Sequence, residues 1–316
     1  MTISVKKYTS DFAKPWNDFV LSSKNGTFLF NRNFVEYHSH RFTDHSLIFF
    51  KNEKPIALLA ANIVDDTLHS HQGLTYGGVI SNRDTKTKDV LNIFKILGEY
   101  CADNKISKLI YKRIPSVYCT YPADEDLYAL FMINAKLIRR DIGYVIKIQD
   151  PIKYIQARRT LFNKATKTNL TVQSSDSNYD EFYDLLESSV ARHNIKPAHS
   201  SKEMQLLANR FPENIKLFHC NKDGKMICGV WLFIEKNTVH SQYIANSQED
   251  KDSGALELIV CHIMKEYGDR NYFSFGISTE NNGKYLNEGL TWQKESFGAR
   301  GVVHDFYELN FSLCPK

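Results

Sequence analysis

The residues best suited to chemistry lie in FSFGISTENNGKYLNEGLTWQKESFGARGVVHDFYEL, positions 273–309. A strand-like run ends at Gly276, and Ser278, Thr279, Glu280, Asn281 and Asn282 follow at once. Hydroxyls, a carboxylate and amides beside a strand end suit a polar ligand. Lys294 follows a Trp-Gln pair and precedes Phe297-Gly298. Its apolar neighbours are expected to dock the segment, leaving the ammonium to meet a phosphate as a point charge. On that reading the loss of Lys294 costs ligand binding and changes folding little. His240, in the strand-like stretch 239–245, is a candidate proton acceptor; the plainer reading is a hydrogen-bonded strand residue. His69 and His71 stand two apart on a strand, so their side chains point the same way, as metal ligands do. No further Cys, Asp or His cluster has ligand spacing, so no metal is expected. His38, His40 and His45 read as surface residues.

Several nucleotide and hydrolase signatures are missing from the sequence. It has no G-x-S-x-G elbow, Walker loop or G-x-G-x-x-G. The glycine-rich loop 73–78 follows a hairpin strand and makes a poor phosphate cradle. The loop 246–254 is better placed, before a helix whose N-terminal amides suit anions, but Glu249, Asp250 and Asp252 oppose that use.

The elements that position these residues come twice. Strands at 47–50, 56–64 and 67–71, a helix over 89–101 with Val90, Ile93, Phe94 and Leu97 on one side, and a strand at 108–111 are predicted in the first half. The second half repeats the order with strands at 216–219, 226–234 and 239–245, a helix over 254–267 and a strand at 272–275. Residues 51–71 align without gaps on 222–242 at an offset of 171, with seven of 21 positions identical, which reads as duplication. Between the halves, 151–173 carries Lys153, Arg158, Arg159, Lys164 and Lys167 and no acidic residue. With Arg159, Asn163 and Lys167 on one helical face, it reads either as a solvated connector or as a phosphate-docking strip.

Composition bounds the class. The 316 residues are 42% hydrophobic and 24% charged, with 40 basic against 36 acidic side chains and a net charge of +4. That suits about two globular domains and gives no field for nucleic acid or an anionic membrane. The six cysteines are scattered without a C-x-x-C pair, so free thiols in a reducing compartment are expected. With no run approaching ~20 apolar residues and no leader-like h-region, a cytoplasmic location is expected.

The paired strand-strand-helix-strand units resemble two copies of the Gcn5-related N-acetyltransferase (GNAT) fold. The element Lys294-x-x-Phe297-Gly298 after Phe275-Gly276, and the basic junction ending in Asn163-Lys164-Ala165-x-Lys167, resemble the FemABX and BioF2-like acyltransferases, in an uncharacterised bacterial branch. The resemblance implies a mixed-sheet α/β protein of two tandem GNAT-like domains with a cleft between them. They are placed at 1–150 and 151–316, the C-terminal strand 304–316 returning to the first. It implies acyl or aminoacyl transfer onto an amine of a sugar nucleotide or cell-envelope precursor, with an acyl-CoA such as acetyl-CoA as donor and aminoacyl-tRNA as the alternative. The acceptor is expected to be a small molecule, a phosphorylated sugar, while the charge gives tRNA no footprint. His240, Glu280 and Tyr243 form the catalytic set. Lys294, Lys164, Lys167, Tyr76, His71, Ser278 and Asn287 form the substrate-binding set. A catalytically silent module binding a phosphorylated ligand on the same fold is the alternative, and a metal-dependent hydrolase through His69 and His71 a third reading.

Overall fold

The computed structural model describes residues 3–311 apart from 169, 176 and 192–195, and the chain divides into two compact units. Unit 1 comprises Met1–Asp141, Glu280–Tyr285 and Val303–Lys316; unit 2 comprises Ile142–Thr279 and Leu286–Val302. No helix among the described residues is long and apolar enough to cross a membrane.

Unit 1 opens with β1 (Ile3–Lys7), α1 (Ala13–Ser22) and α2 (Arg32–Val35). Then come β2 (Thr43–Asp44), β3 (Leu47–Lys51), β4 (Lys54–Leu59), β5 (Asn62–Val64), β6 (Thr67–His69) and β7 (Val79–Ser81). α3 (Thr87–Asp103), β8 (Lys108–Lys112) and α4 (Glu125–Met132) follow, and β9 (Lys136–Lys147) supplies its first six residues to this unit. Strands β1-β3-β4-β7 form one sheet, while β8-β6-β5-β2 are neighbours in a second. Val90, Ile93, Phe94, Leu97 and Cys101 of α3 recur at helical spacing, and all five are buried in the unit's apolar core.

Unit 2 takes the rest of β9, then α5 (Gln156–Ala165), β10 (Val172–Ser175), α6 (Tyr179–Ala191) and α7 (Ser201–Arg210). β11 (Ile215–Lys222), β12 (Lys225–Ile234), β13 (Thr238–Asn246), α8 (Ala255–Glu266) and β14 (Tyr272–Ile277) build its centre. After the short strands β15 (Thr279–Glu280) and β16 (Tyr285–Leu286), α9 (Glu288–Ser296) leads into β17 (Arg300–Asn310). The strand order is β10-β11-β12-β13-β14-β9; β17 from Val303 on belongs to unit 1, where Phe306 to Asn310 pair with β8. The strand-like alternation of 306–313 thus continues to Asn310, and residues 312 and 313 lie outside the described residues.

β12 reads KMICGVWLFI without polar alternation because both of its faces are covered. Cys228, Val230, Leu232 and Ile234 join Leu256, Ile259, Val260 and Ile263 of α8 in one core. The other face approaches α6 so closely that a Cβ at Gly229 would lie 2.6 Å from the Phe182 ring. Gly229→Ala is expected to destabilise by about 1–3 kcal/mol through overpacking, read as a lower denaturation midpoint at unchanged slope. An unchanged midpoint would mean that α6 yields freely.

The duplication extends to registers. Phe49 pairs with Ala57 and Phe50 with Pro55, a bulge; Cys220 pairs with Cys228 and Asn221 with Met226, the same bulge at the same offset of 171. Asn62 faces His69 as Phe233 faces His240. Each third strand then runs parallel to the strand after the helix, β6 with β8 and β13 with β14.

Two expectations about histidines are corrected. His38 and His45 are not surface residues, being 2% and 9% exposed. His38 stacks on Tyr37 at 4.2 Å and meets Phe42 and His71, while His45 bonds the Tyr100 hydroxyl at 2.9 Å. His71 does not share a direction with His69, because the strand ends at His69 and His71 has φ +62°, which breaks the alternation. Among the described residues no group of three His, Cys, Asp or Glu is placed to hold a metal ion.

Candidate active site in unit 2

The chemistry-bearing residues of unit 2 gather where β13 and β14 part. Their parallel pairing covers only Thr238–His240 against Tyr272–Ser274. Beyond that point β13 runs on to Asn246 with no ladder partner on the β14 side among the described residues. His240 is the last paired residue. It is 7% exposed, and its Nδ1 lies 3.1 Å from the Ser274 hydroxyl. Two residues on, Gly276 has φ +70°, and a Cβ there would sit 3.3 Å from His240 Cε1. Glycine lets the strand end turn tightly beside the imidazole.

Lys294 closes the same corner from α9. Its Nζ donates to the carbonyls of Gly276 at 3.1 Å and Ile277 at 2.5 Å. The side chain is 7% exposed, and burial draws its pKa down to about 7; the two carbonyl acceptors favour the ammonium and oppose that shift. The ammonium expected to face a phosphate thus turns to two backbone carbonyls inside the fold. Phe297, fully buried against Tyr154 and Phe275, docks the segment as anticipated. That docking carries the lysine inward with it.

Ser278 is 1% exposed; its N–H donates to the Ile142 carbonyl, its own carbonyl accepts from Asn287 N, and its hydroxyl has no hydrogen-bond partner among the described residues. Asn287 accepts from Leu290 N at 3.0 Å as the N-cap of α9, so it starts the helix that delivers Lys294.

Tyr243 joins His240 on one sheet face through a detail the sequence hides. Trp231 pairs with Tyr243 but Leu232 with Ser241, so Gln242 is an extra residue, a β-bulge. Without it, positions 240 and 243 would point to opposite faces. With it, both lie on the Trp231–Phe233 face. Tyr243 stacks on Trp231 at 5.8 Å, accepts from Ala198 N at 3.0 Å and meets His199 Nδ1 at 2.9 Å.

The remaining predicted residues lie elsewhere. Lys164 is exposed on α5, its Nζ donating to the Asp252 carbonyl at 2.8 Å. Lys167 is exposed in the turn beyond Ala165, so the expected shared face with Arg159 and Asn163 ends with the helix. Glu280 is exposed on β15, its carbonyl accepting from Gly283 N. Tyr76 and His71 belong to unit 1. Tyr76 is 2% exposed and donates to Thr27 Oγ1 at 3.2 Å. His71 Nδ1 accepts from Gly73 N, and burial lowers its pKa to about 3.

Sequence reasoning missed Ser274 and the buried ion pair below Lys294, and it named Gly276 only as a strand end. Arg158 NH1 donates to Glu257 Oε1 at 2.6 Å, its Nε to Ser296 Oγ at 2.8 Å, and its guanidinium lies 4.5 Å from the Phe297 ring centre. Glu257 is 1% exposed. The signal was a glutamate in the apolar stripe of α8.

Residues 152–285, covering most of unit 2, match the family of acetyltransferase (GNAT) domains. Solved structures similar in fold include FemX, with a TM-score of 0.70, 11% identity and 96% of each chain covered. L-PGS from Bacillus licheniformis follows with a TM-score of 0.64 and 12% identity over 98% of this chain and 94% of that one. A tandem GNAT protein of the clavulanic acid biosynthesis pathway covers 100% of both chains with a TM-score of 0.54 and 9% identity. No curated protein matches the chain. The fold is a mixed α/β arrangement of tandem GNAT-like units.

A GNAT domain implies acyl-CoA in general as donor, and the residues present fit only one end of that molecule. Along the unpartnered part of β13, Gln242 Oε1 and Asn246 Oδ1 are buried with no hydrogen-bond partner among the described residues, acceptors that suit the amide N–H groups of a pantetheine arm. The start of α8 does not suit a diphosphate. Asp223, Glu249, Asp250 and Asp252 outnumber Lys164 and Lys222 in the lining of a groove of about 440 Å³ there, and Lys222 is paired with Asp250 at 2.7 Å. Gly254, at the N-cap, is packed so tightly that a Cβ would lie 2.2 Å from the Leu161 carbonyl.

Proposed function

We propose that the protein is an acyltransferase that moves an acyl or aminoacyl group onto the amine of a small acceptor, a phosphorylated sugar or cell-envelope precursor, in unit 2. Acyl transfer in general is what the family match supports. The observation that carries the residue roles is the meeting of His240, Ser274, Gly276 and Lys294 at the corner where β13 and β14 separate. The donor's acyl arm lies along the unpartnered edge of β13, its carbonyl carbon near that corner. Attack by the acceptor nitrogen forms the C–N bond and breaks the bond from carbonyl carbon to the donor's sulfur or oxygen. His240, oriented by Ser274, takes the proton the amine loses, directly or through one water. Lys294 supplies an N–H to the charge that develops on the acyl oxygen or leaving group. Holding both reactants supplies much of the rate.

The test is transfer from acetyl-CoA, acetyl-pantetheine or aminoacyl-tRNA to amino-sugar nucleotides, read as a new amide by mass spectrometry. His240→Gln is expected to lower the rate by about 10²–10⁴-fold with little change in melting temperature. Ligand binding with no amide product from any donor would leave the silent binding module. Full activity in His240→Gln would remove its role as base.

A further inference from the structure

We propose that the chain has a single acyl-donor groove, in unit 2, because unit 1 fills the equivalent gap with its own residues 70–78. The inference rests on the acyl-transfer reading and adds where in the duplicated fold the donor binds. The matched registers locate the two gaps. In unit 1 β7 pairs with β4 as the end of β13 pairs with β12: Leu59 faces Val79 and Ala57 faces Ser81, as Val230 faces Ile244 and Cys228 faces Asn246. From His240 to Ile244 the chain needs three intervening residues, 241–243. From His69 to Val79 it uses nine, 70–78. The six additional residues make the difference between the units.

In unit 2 those three residues, bulged at Gln242, carry β13 past the end of its pairing with β14; Ser241 Oγ donates to the Ser274 carbonyl at 3.0 Å, and the strand edge is left without a described ladder partner. In unit 1 the parallel pair is first extended, Ser70 N donating to the Ile110 carbonyl at 3.0 Å and Lys112 N to Ser70 Oγ at 2.7 Å. The chain then folds into the gap. Leu74 and Tyr76 are 4% and 2% exposed. Lys112 Nζ fastens the excursion through the carbonyls of Gln72 at 3.2 Å and Leu74 at 2.6 Å. On the return, a Cβ at Gly77 would lie 1.9 Å from the Ser70 carbonyl oxygen and one at Gly78 2.7 Å from the Tyr111 hydroxyl. Val79 N donates to that same hydroxyl at 2.9 Å. The returning backbone is thus pressed directly against the end of β8, and no width remains for an acyl chain. The β13 edge of unit 2, by contrast, keeps the Gln242 and Asn246 oxygens without a hydrogen-bond partner among the described residues.

The full chain is photolabelled with three diazirine-bearing acyl probes, an acyl-pantetheine, an acyl-CoA and an aminoacyl microhelix RNA, and the labelled peptides are sequenced. The expected result is saturation near one label per chain, in peptides spanning 238–246 or 272–279. Label in 67–81 or 108–113, or two labels per chain, overturns the inference and leaves acyl transfer standing. Label confined to any other segment overturns the groove assignment. If none of the three probes labels the chain, both the inference and the transfer reading fall.

Discussion

Truncating Lys294 to alanine is expected to cost about 3 kcal/mol of folding stability in addition to abolishing transfer. The aliphatic stem is buried on α9, so its loss leaves a cavity, and the Gly276 and Ile277 carbonyls lose their shared donor, a loss of ~1–3 kcal/mol for a buried acceptor left unpaired. Lys294→Met separates the charge from the packing. The folded pKa of about 7 lies below the ordinary lysine value of 10.5. From pH 7 upward the unfolded chain therefore holds a proton that the folded chain has released, and wild-type stability rises. The burial penalty is fully present below about pH 7 and is relieved as pH climbs toward 10.5. Between pH 7 and 9 the wild type is expected to gain about 2 kcal/mol on the methionine variant, from ~1.4 kcal/mol per unit. Urea denaturation of both proteins at the two pH values measures it. Parallel pH slopes would show that the amine is not held near neutrality.

Breaking the Arg158–Glu257 pair carries the second large effect. Either Glu257→Ala or Arg158→Ala alone leaves one buried charge uncompensated, at a cost of about 3–5 kcal/mol. The double variant Arg158→Met with Glu257→Leu is expected to recover most of that loss, because a packed apolar pair avoids desolvation altogether. Activity separates from stability here. Arg158 also holds Ser296, two residues beyond Lys294, so the double variant is expected to fold yet transfer more slowly. A double-mutant cycle on the denaturation midpoint measures the coupling. Additive single costs would show that the two groups do not act as a pair.

The strand and helix order was legible because it rests on period. The 3.6-residue spacing of Val90, Ile93, Phe94 and Leu97, and of Leu256, Ile259, Val260 and Ile263, follows from which face must be buried, and those residues are buried. The duplication was legible too, since 51–71 and 222–242 build hairpins with the same bulge. The polar segment after Gly276 and the Lys294-x-x-Phe297-Gly298 element marked the corner of the candidate site.

What local pattern does not encode is which way an unusual residue points. Lys294 reads as an ammonium presented to a phosphate, because lysines are mostly accessible; only the packing of Phe297 and the turn at Gly276 draw it inside. His240 and Tyr243 share a face solely because Gln242 bulges, a one-residue register change that leaves no periodic trace. The left-handed turn at His71 undoes its apparent alignment with His69 in the same way. Composition and periodicity therefore determined the elements and their repetition. The meeting of His240, Ser274 and Lys294 was decided by a bulge, a glycine turn and an inward lysine, each set by contacts between residues distant in the chain.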